Sequence, residues 1–426
     1  MNPVDFSFIF QTTGFGLDVL FSLWWIYVPI ILFVSFIAAW QHYIHEKYLE
    51  SLEWTTLQIK PPPTLDRTLK AVEQIFAGIH GIYIGPVNWK DRLLRGKVQD
   101  WFSLEIVGID GVTNFYIRTL AQYQGIVESN VFAQYPDAEI VVAEDYIRKW
   151  PQRLPNAEMD LFGMELLLAK ESAYPIQTYL YFEEKPGGPD NLKSIDPLSS
   201  VSEVFSTFRP GENFVIQILM RPTGDGWSKE GQTIIDKMSG KEPKSKPDAL
   251  ENIFKSIDGL FLGGSAEKED APKDKKLSSR EEDIAKAIGK KVAKLGFETS
   301  IRLSYIAKKE VFHRHHFAGI MGALKQLSTL NLNSFKPNSA TVTYSKGMFY
   351  KLFPSDKGFF AEQRTLERKL RLYKDLRERT FPQKFFIFNT EEMATIYHLP
   401  GIEVRAPLFP RVQAKKGQPP AGLPLE

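Results

Sequence analysis

From Val19 to His45 the chain reads VLFSLWWIYVPIILFVSFIAAWQHYIH, without one charged residue between Asp18 and Glu46. An apolar run of that length spans a hydrocarbon core of about 30 Å as a single helix. No second run of this kind follows. The pattern predicts a transmembrane helix over 19–45, with Trp24, Trp25, Tyr27, Trp40 and Tyr43 suited to the interface belts. Pro29 falls mid-span, which lipid-embedded helices tolerate. Beyond it the patterning changes to that of a water-soluble body. Residues 41–55 continue as helix, Leu57–Lys60 is extended, and Pro61-Pro62-Pro63 is a stiff break. Apolar residues at Ala71, Val72, Ile75, Phe76 and Ile79 predict a helix over 64–81.

Alternation then predicts a strand at 101–108 and a return strand at 112–118 around the Asp110-Gly111 turn. A helix at 121–135 and a strand at 138–143 complete this first module, 64–150. A second module begins at 151–238, with a strand at 174–183, a helix at 198–208, a buried strand at 213–220 and a helix at 226–238. Residues 239–280 are rich in Lys, Asp, Glu, Pro, Ser and Gly and predict a flexible charged linker. Its apolar cluster from Ile253 to Leu262 is either a helix docking on the body or a peripheral membrane contact. A helix at 281–295, a strand at 297–306, a helix at 310–327, a loop at 330–337 and a basic helix at 363–380 follow within 281–413. A Pro/Gly tail occupies 414–426. The expected fold class is therefore α+β. One N-terminal transmembrane helix precedes tandem small sandwich-like modules of βαβ-type units and a long basic helix.

Composition adds bounds rather than detail. The 426 residues are 43% hydrophobic and 24% charged, which is enough to bury real cores in two or three domains. A net charge of +2 argues against a chain whose whole surface coats nucleic acid. Cysteine is absent, which excludes disulfides, thiolate metal sites and cysteine nucleophiles. Residues 1–18 carry no Lys or Arg, whereas Lys47, Lys60 and Arg67 follow the span. The positive-inside rule then places a short N-terminus (1–18) outside and the body in the cytoplasm at the cell membrane.

Candidate chemistry is sparse. No phosphate-binding loop, nucleophile elbow, zinc-protease pair or dinucleotide fingerprint occurs, so no catalytic residue, cofactor or metal is assigned and no enzyme activity is expected. His313, His315 and His316 cluster, but Arg314 lies among them, and a solvated helix start is the better reading. His42, His45 and Glu46 share a helix face where polar residues are expected in any case. Arg364, Arg368, Lys369, Arg371 and Lys374 on the basic helix could neutralise nucleic-acid or lipid phosphates. A solvated face with internal ion pairs is the better reading.

Several phrases are more particular: AVEQIFAGIHGI (71–82), GKVQDWFSLEIVGIDG (96–111), FYIRT (115–119), AQYPDAEIVVAEDY (133–146), KLGFETSIRLSYIA (294–307), LNSFKP (332–337) and NTEEMATIYHLPG (389–401). Together they resemble the membrane-anchored N-terminal region of conjugation and type IV secretion coupling ATPases, the VirB4/VirD4/HerA-like relatives. The resemblance implies that Tyr397, His398, Pro400 and Gly401 form a docking turn, and that Gly417-Gln418-Pro419-Pro420 is a connector to a RecA-like motor. No motor sequence follows before Glu426. The implied role is a non-enzymatic adaptor or scaffold of a translocation machine. It would be a homo-oligomer in the bilayer that docks a HerA/VirB4-like hexameric ATPase. The alternative is a membrane-tethered nucleic-acid-binding module using the helix at 363–380.

Overall fold

The computed structural model describes residues 22–61, 68–83, 85–182, 196–240, 278–344 and 361–400. The expected short N-terminus, almost all of the charged linker, Gly401 and the Pro/Gly tail lie outside them. The chain divides into two units, one holding 22–53 and 86–99, the other the described residues of 54–85 and 100–400.

In the first unit the apolar run forms helix α1, Trp24–Glu50, with Pro29 inside it. It is long and apolar enough to cross a membrane, and none of its most apolar window is buried. Trp24 to Tyr43 covers about 29 Å along the axis, the thickness of a hydrocarbon core. The same unit holds a short helix absent from the sequence expectation, which packs against α1.

The second unit is built on strands β1 (Trp54–Lys60), β2 (Phe102–Ile109), β3 (Val112–Leu120), β4 (Glu139–Val142), β5 (Met159–Leu168), β6 (Glu212–Thr223), β7 (Gly296–Lys308), β8 (Phe335–Pro337) and β9 (Phe386–Asn389). They form one sheet in the order β4-β1-β3-β2-β6-β7-β5-β8, with β9 also paired to β7. Every pairing is antiparallel. This corrects the expectation of βαβ-type tandem modules. The strands assigned to the two modules are joined edge to edge by the β2–β6 pairing from Phe102↔Met220 to Ile109↔Asn213. Long β7 explains how one sheet absorbs both. It pairs with β6 along its length, and its other edge is shared by β9 at Gly296–Thr299 and β5 at Ile301–Lys308.

One sheet face carries Leu57, Phe102, Leu104, Phe115, Phe214, Ile216 and Leu303. Helices α2 (Leu69–His80), α4 (Gln124–Gln134), α5 (Ser199–Ser206), α8 (His315–Lys325) and α10 (Thr390–Ile396) contribute residues to the same core. The opposite face carries Val107, Tyr116, Leu161, Val215 and Ile306 beneath Leu372, Tyr373 and Leu376 of helix α9, Ala361–Glu378. Gly163 of β5 permits that approach, since a Cβ there would stand 2.6 Å from Leu372 Cδ2. Helices α6 (Ser228–Met238) and α7 (Ser279–Val292) pack on each other. A capping box between Ser278 and Glu281 opens α7.

Two further differences have physical causes. The strand expected at 174–183 is irregular over 174–182, with a short 3-10 turn at Tyr179–Tyr181. Its backbone donors find partners outside a ladder: Ile176 N–H donates to Glu392 Oε1, Tyr179 N–H to Thr395 Oγ1 and Gln177 N–H to the Leu327 carbonyl. The real strand is β5, whose Gly163 and Glu165 interrupt the apolar alternation. The expected loop at 330–337 ends as strand β8, paired to Leu166–Leu168.

Candidate functional site: a polar rung beneath a helix end

Strand alternation puts Glu105, Gln217, Arg302 and Glu165 on the α9 face of the sheet, and register aligns them. Tyr116 pairs with Glu105, Glu105 with Gln217, Gln217 with Arg302, and Arg302 with Glu165. A row of polar side chains thus crosses five strands in the interior. Glu105 is fully buried, and only 1% of Arg302 is exposed.

Such groups need partners, because unpaired charges in a dry interior are costly. The end of α9 supplies them. Gln217 Nε2 donates to the Leu376 carbonyl at 3.1 Å, and Arg302 Nη1 donates to that of Asp375 at 2.9 Å. Arg302 Nη2 also donates to Glu165 at 2.9 Å. One residue beyond the helix, Arg379 takes a positive φ of 53° and turns its guanidinium inward. It donates to Glu105 through Nε at 2.9 Å and Nη2 at 3.2 Å, and to Asp145 at 2.6 and 2.8 Å. Ser103, Tyr146 and Gln217 donate to Glu105 as well.

Burial by itself would raise the Glu105 carboxyl, but the Arg379 charge and its hydrogen bond outweigh it and hold the group below its usual value. Burial likewise opposes the Arg379 charge, yet Glu105 and Asp145 hold that guanidinium well above its usual value. Burial, with Glu105 beside it, pushes Tyr116 up to about 12. The rung is thus a set of compensated ions that clamps α9 to the sheet.

A second buried pair lies on the other face. Lys291 Nζ stands 2.9 Å from Glu392 Oε2, the two being 1% and 0% exposed. Burial pushes Lys291 down and Glu392 up, each toward its neutral form. Glu392 also closes the capping box that starts α10. Nearby, Lys294 donates to Glu73 at 2.6 Å and to Glu391 at 2.7 Å, beside a cavity of about 460 Å³.

The described residues of the anticipated docking turn, Tyr397, His398 and Pro400, lie in the interior. The Tyr397 hydroxyl donates to the Tyr116 carbonyl at 3.1 Å. His398 places Nδ1 2.9 Å from the Ala394 carbonyl and Nε2 2.9 Å from Asp196 Oδ1. Pro400 is buried, and Gly401 lies outside the described residues. Tyr397 and His398 therefore present no side-chain surface to a partner. They seat the chain against its own sheet.

The basic helix is also partly committed. Lys369 is buried and donates to Asp160 at 2.6 Å, while Arg368 donates to the carbonyls of Val342 and Tyr344. Arg364 is half-buried and engaged. Arg371 and Lys374 remain exposed, with Lys374 3.9 Å from Glu378. Packing Leu372, Tyr373 and Leu376 on the sheet carries the flanking cations to interior acceptors, and a phosphate-binding face would rest on Arg371 and Lys374.

The rings of His313, His315 and His316 lie side by side, and His316 Nε2 is 3.3 Å from buried Glu212. At the end of α1, exposed His42 lies 3.4 Å from Glu46, and His45 Nδ1 is 3.3 Å from the Gly96 carbonyl. Among the described residues no group of three His, Asp or Glu is arranged to hold a metal ion.

With this geometry in place, the chain is identified by family. Residues 44–408 match the family described as a domain of unknown function (DUF8128), and the chain belongs to it. No curated protein matches the chain. The match begins at Ile44, so it takes in the last turns of α1 and the whole described body but not the apolar run.

Proposed function

We propose that this protein is a single-pass, membrane-anchored scaffold that holds its α+β body at the cytoplasmic surface of the cell membrane. The observation that carries this reading is α1. Ile30, Ile31, Leu32, Phe33, Val34 and Phe36 are all exposed on it, and such an apolar surface calls for lipid around it. Orientation follows from Lys47, Lys60 and Arg67 after the helix against no cation before it. In the body, the buried polar groups of the rung are bound to one another, as are Lys291 and Glu392, an arrangement suited to rigidity.

The adaptor role rests on the resemblance of the quoted segments to coupling-ATPase N-terminal regions. In that role the body forms a homo-oligomeric collar that docks a HerA/VirB4-like hexameric ATPase. Because Tyr397 and His398 are interior, the docking surface would be one whose position they fix.

The test is purification of the full chain from membranes after alkaline extraction, followed by crosslinking and titration with a HerA/VirB4-like hexameric ATPase. An alkali-resistant oligomer that binds the ATPase in a fixed ratio and alters its turnover is the expected result. A monomer that leaves the ATPase rate unchanged would overturn the adaptor role, and release by alkali would overturn the anchor.

A further inference from the structure

The short helix of the first unit is α3, Trp89–Arg95 (WKDRLLR). Asn88 caps its start by accepting from Lys90 N–H, and Gly96 ends it with a φ of 65°. Gly96 lies tight against α1, where a Cβ would stand 2.3 Å from the Ile44 carbonyl oxygen. With the His45 contact to the Gly96 carbonyl, this fixes α3 to α1 at Ile44–His45. That level is one residue past Tyr43 and about 6 Å along the axis beyond Trp40. The Trp40 and Tyr43 rings lie 6.2 Å apart at the water-facing end of the apolar run, where aromatic belts sit.

At that level α3 leaves two large apolar side chains uncovered. Trp89 and Leu94 are each 66% exposed. Around them stand exposed Lys90, Arg92, Arg95 and Lys97 against one carboxylate, Asp91, which pairs with Arg95 at 3.2 Å. Lys90 Nζ lies 5.7 Å from the centre of the Trp89 ring. The acids of this unit's helix end, Glu46 and Glu50, and Glu53 after it lie further along the chain, away from the apolar run. Exposed Trp and Leu ringed by cations is the composition of a helix lying in a membrane interface.

We propose that α3 is a second membrane contact. Trp89 and Leu94 enter the headgroup boundary beside α1, and Lys90, Arg92 and Lys97 bind anionic phospholipid headgroups. This rests on α1 crossing the membrane, since α1 sets the depth of α3. Two contacts on one unit would fix the rotation and tilt of the anchor, which a lone helix leaves free.

The absence of cysteine makes the test direct. Full-length Leu94→Cys and Phe33→Cys chains are labelled with bimane. They are reconstituted in vesicles of phosphatidylcholine alone or with phosphatidylserine, with brominated lipid as quencher. The expected result is quenching at Phe33 in both, and at Leu94 in the phosphatidylserine vesicles. Each cation removed should weaken the docked state about fivefold, so Arg92→Gln/Lys97→Gln should sharply reduce quenching at Leu94 and leave Phe33 unchanged. Quenching at Phe33 with none at Leu94 would overturn the α3 contact and leave the anchor standing. Equal quenching at Leu94 in both lipids, unmoved by the double substitution, would overturn anionic-lipid recognition. No quenching at Phe33 would overturn the anchor itself.

Discussion

Replacing Arg379 by Met tests the polar rung where it is most concentrated. Methionine fills much of the same space but removes every donor that the guanidinium gives to Glu105 and Asp145. Asp145 is partly open to water, whereas Glu105 is 0% exposed. Breaking a buried ion pair from one side costs about 3–5 kcal/mol. The bonds that Ser103, Tyr146 and Gln217 still give Glu105 place the expected loss near the lower end, about 3 kcal/mol. The loss should depend on pH in a defined direction. In the parent, Glu105 titrates below its ordinary 4.5, so its contribution is present above that value and lost as acid drives pH through the lowered folded-state pKa. Without Arg379, burial raises the carboxyl, and the sign reverses. The variant is then penalised at neutral pH and relieved as Glu105 takes up a proton. Urea unfolding of the full chain in detergent, followed by tryptophan fluorescence at pH 7 and pH 4.5, reads both effects. A loss below about 1 kcal/mol at neutral pH, or one equal at both pH values, would refute the claim that Arg379 compensates Glu105.

Lys291→Met should cost about 3–5 kcal/mol by stranding Glu392, and adding Glu392→Gln should recover most of that loss in the same unfolding assay. Gly163→Ala should cost about 1–3 kcal/mol, because its Cβ would meet Leu372 and stand 2.4 Å from the Leu303 carbonyl oxygen; increased proteolysis at Arg371 and Lys374 would report the loosened helix. Burial depresses His316 below its ordinary 6.5, outweighing the Glu212 charge. Its stabilising contribution is therefore present above that value and lost as pH falls through the lowered folded-state pKa, so His316→Gln should flatten the melting-temperature profile below pH 6.5.

Local patterning made much of the chain legible. Helix α2 and strands β2, β3, β6 and β7 fall where periodicity put them, because each has one apolar face and clear turn residues at its ends. What sequence reading lost was the interior polarity. Glu105, Gln217, Arg302 and Glu165 occupy inward positions of their strands, and a polar residue in an apolar alternation reads as noise until register aligns all four. Glu165 and Gly163 hid β5 for that reason. Order along the chain suggests tandem modules because it says nothing about which edges pair, and β7 has partners on both sides. Helix α3 was marked by a capping Asn88 and a terminal Gly96, but seven residues are too few to show a period. The YHLPG segment is prominent as a phrase, yet the burial of Tyr397 and His398 depends on Tyr116 and Asp196, hundreds of residues earlier in the chain.

The clasp between Glu105 and Arg379 joins positions 274 residues apart. A chain made at about 5–20 residues per second takes roughly 15–55 s to add that length. Throughout that interval α1 is already made and able to insert, while the strand bearing Glu105 waits for its counter-ion. The sheet cannot close in the order in which it is made, because β9, α10 and the end of α9 must return to strands completed long before. Topology of this kind folds slowly and late. With α1 inserted as proposed, the body would reach its final form tethered to the bilayer, where the anchor would keep its unfinished strands close to a surface and apart from one another.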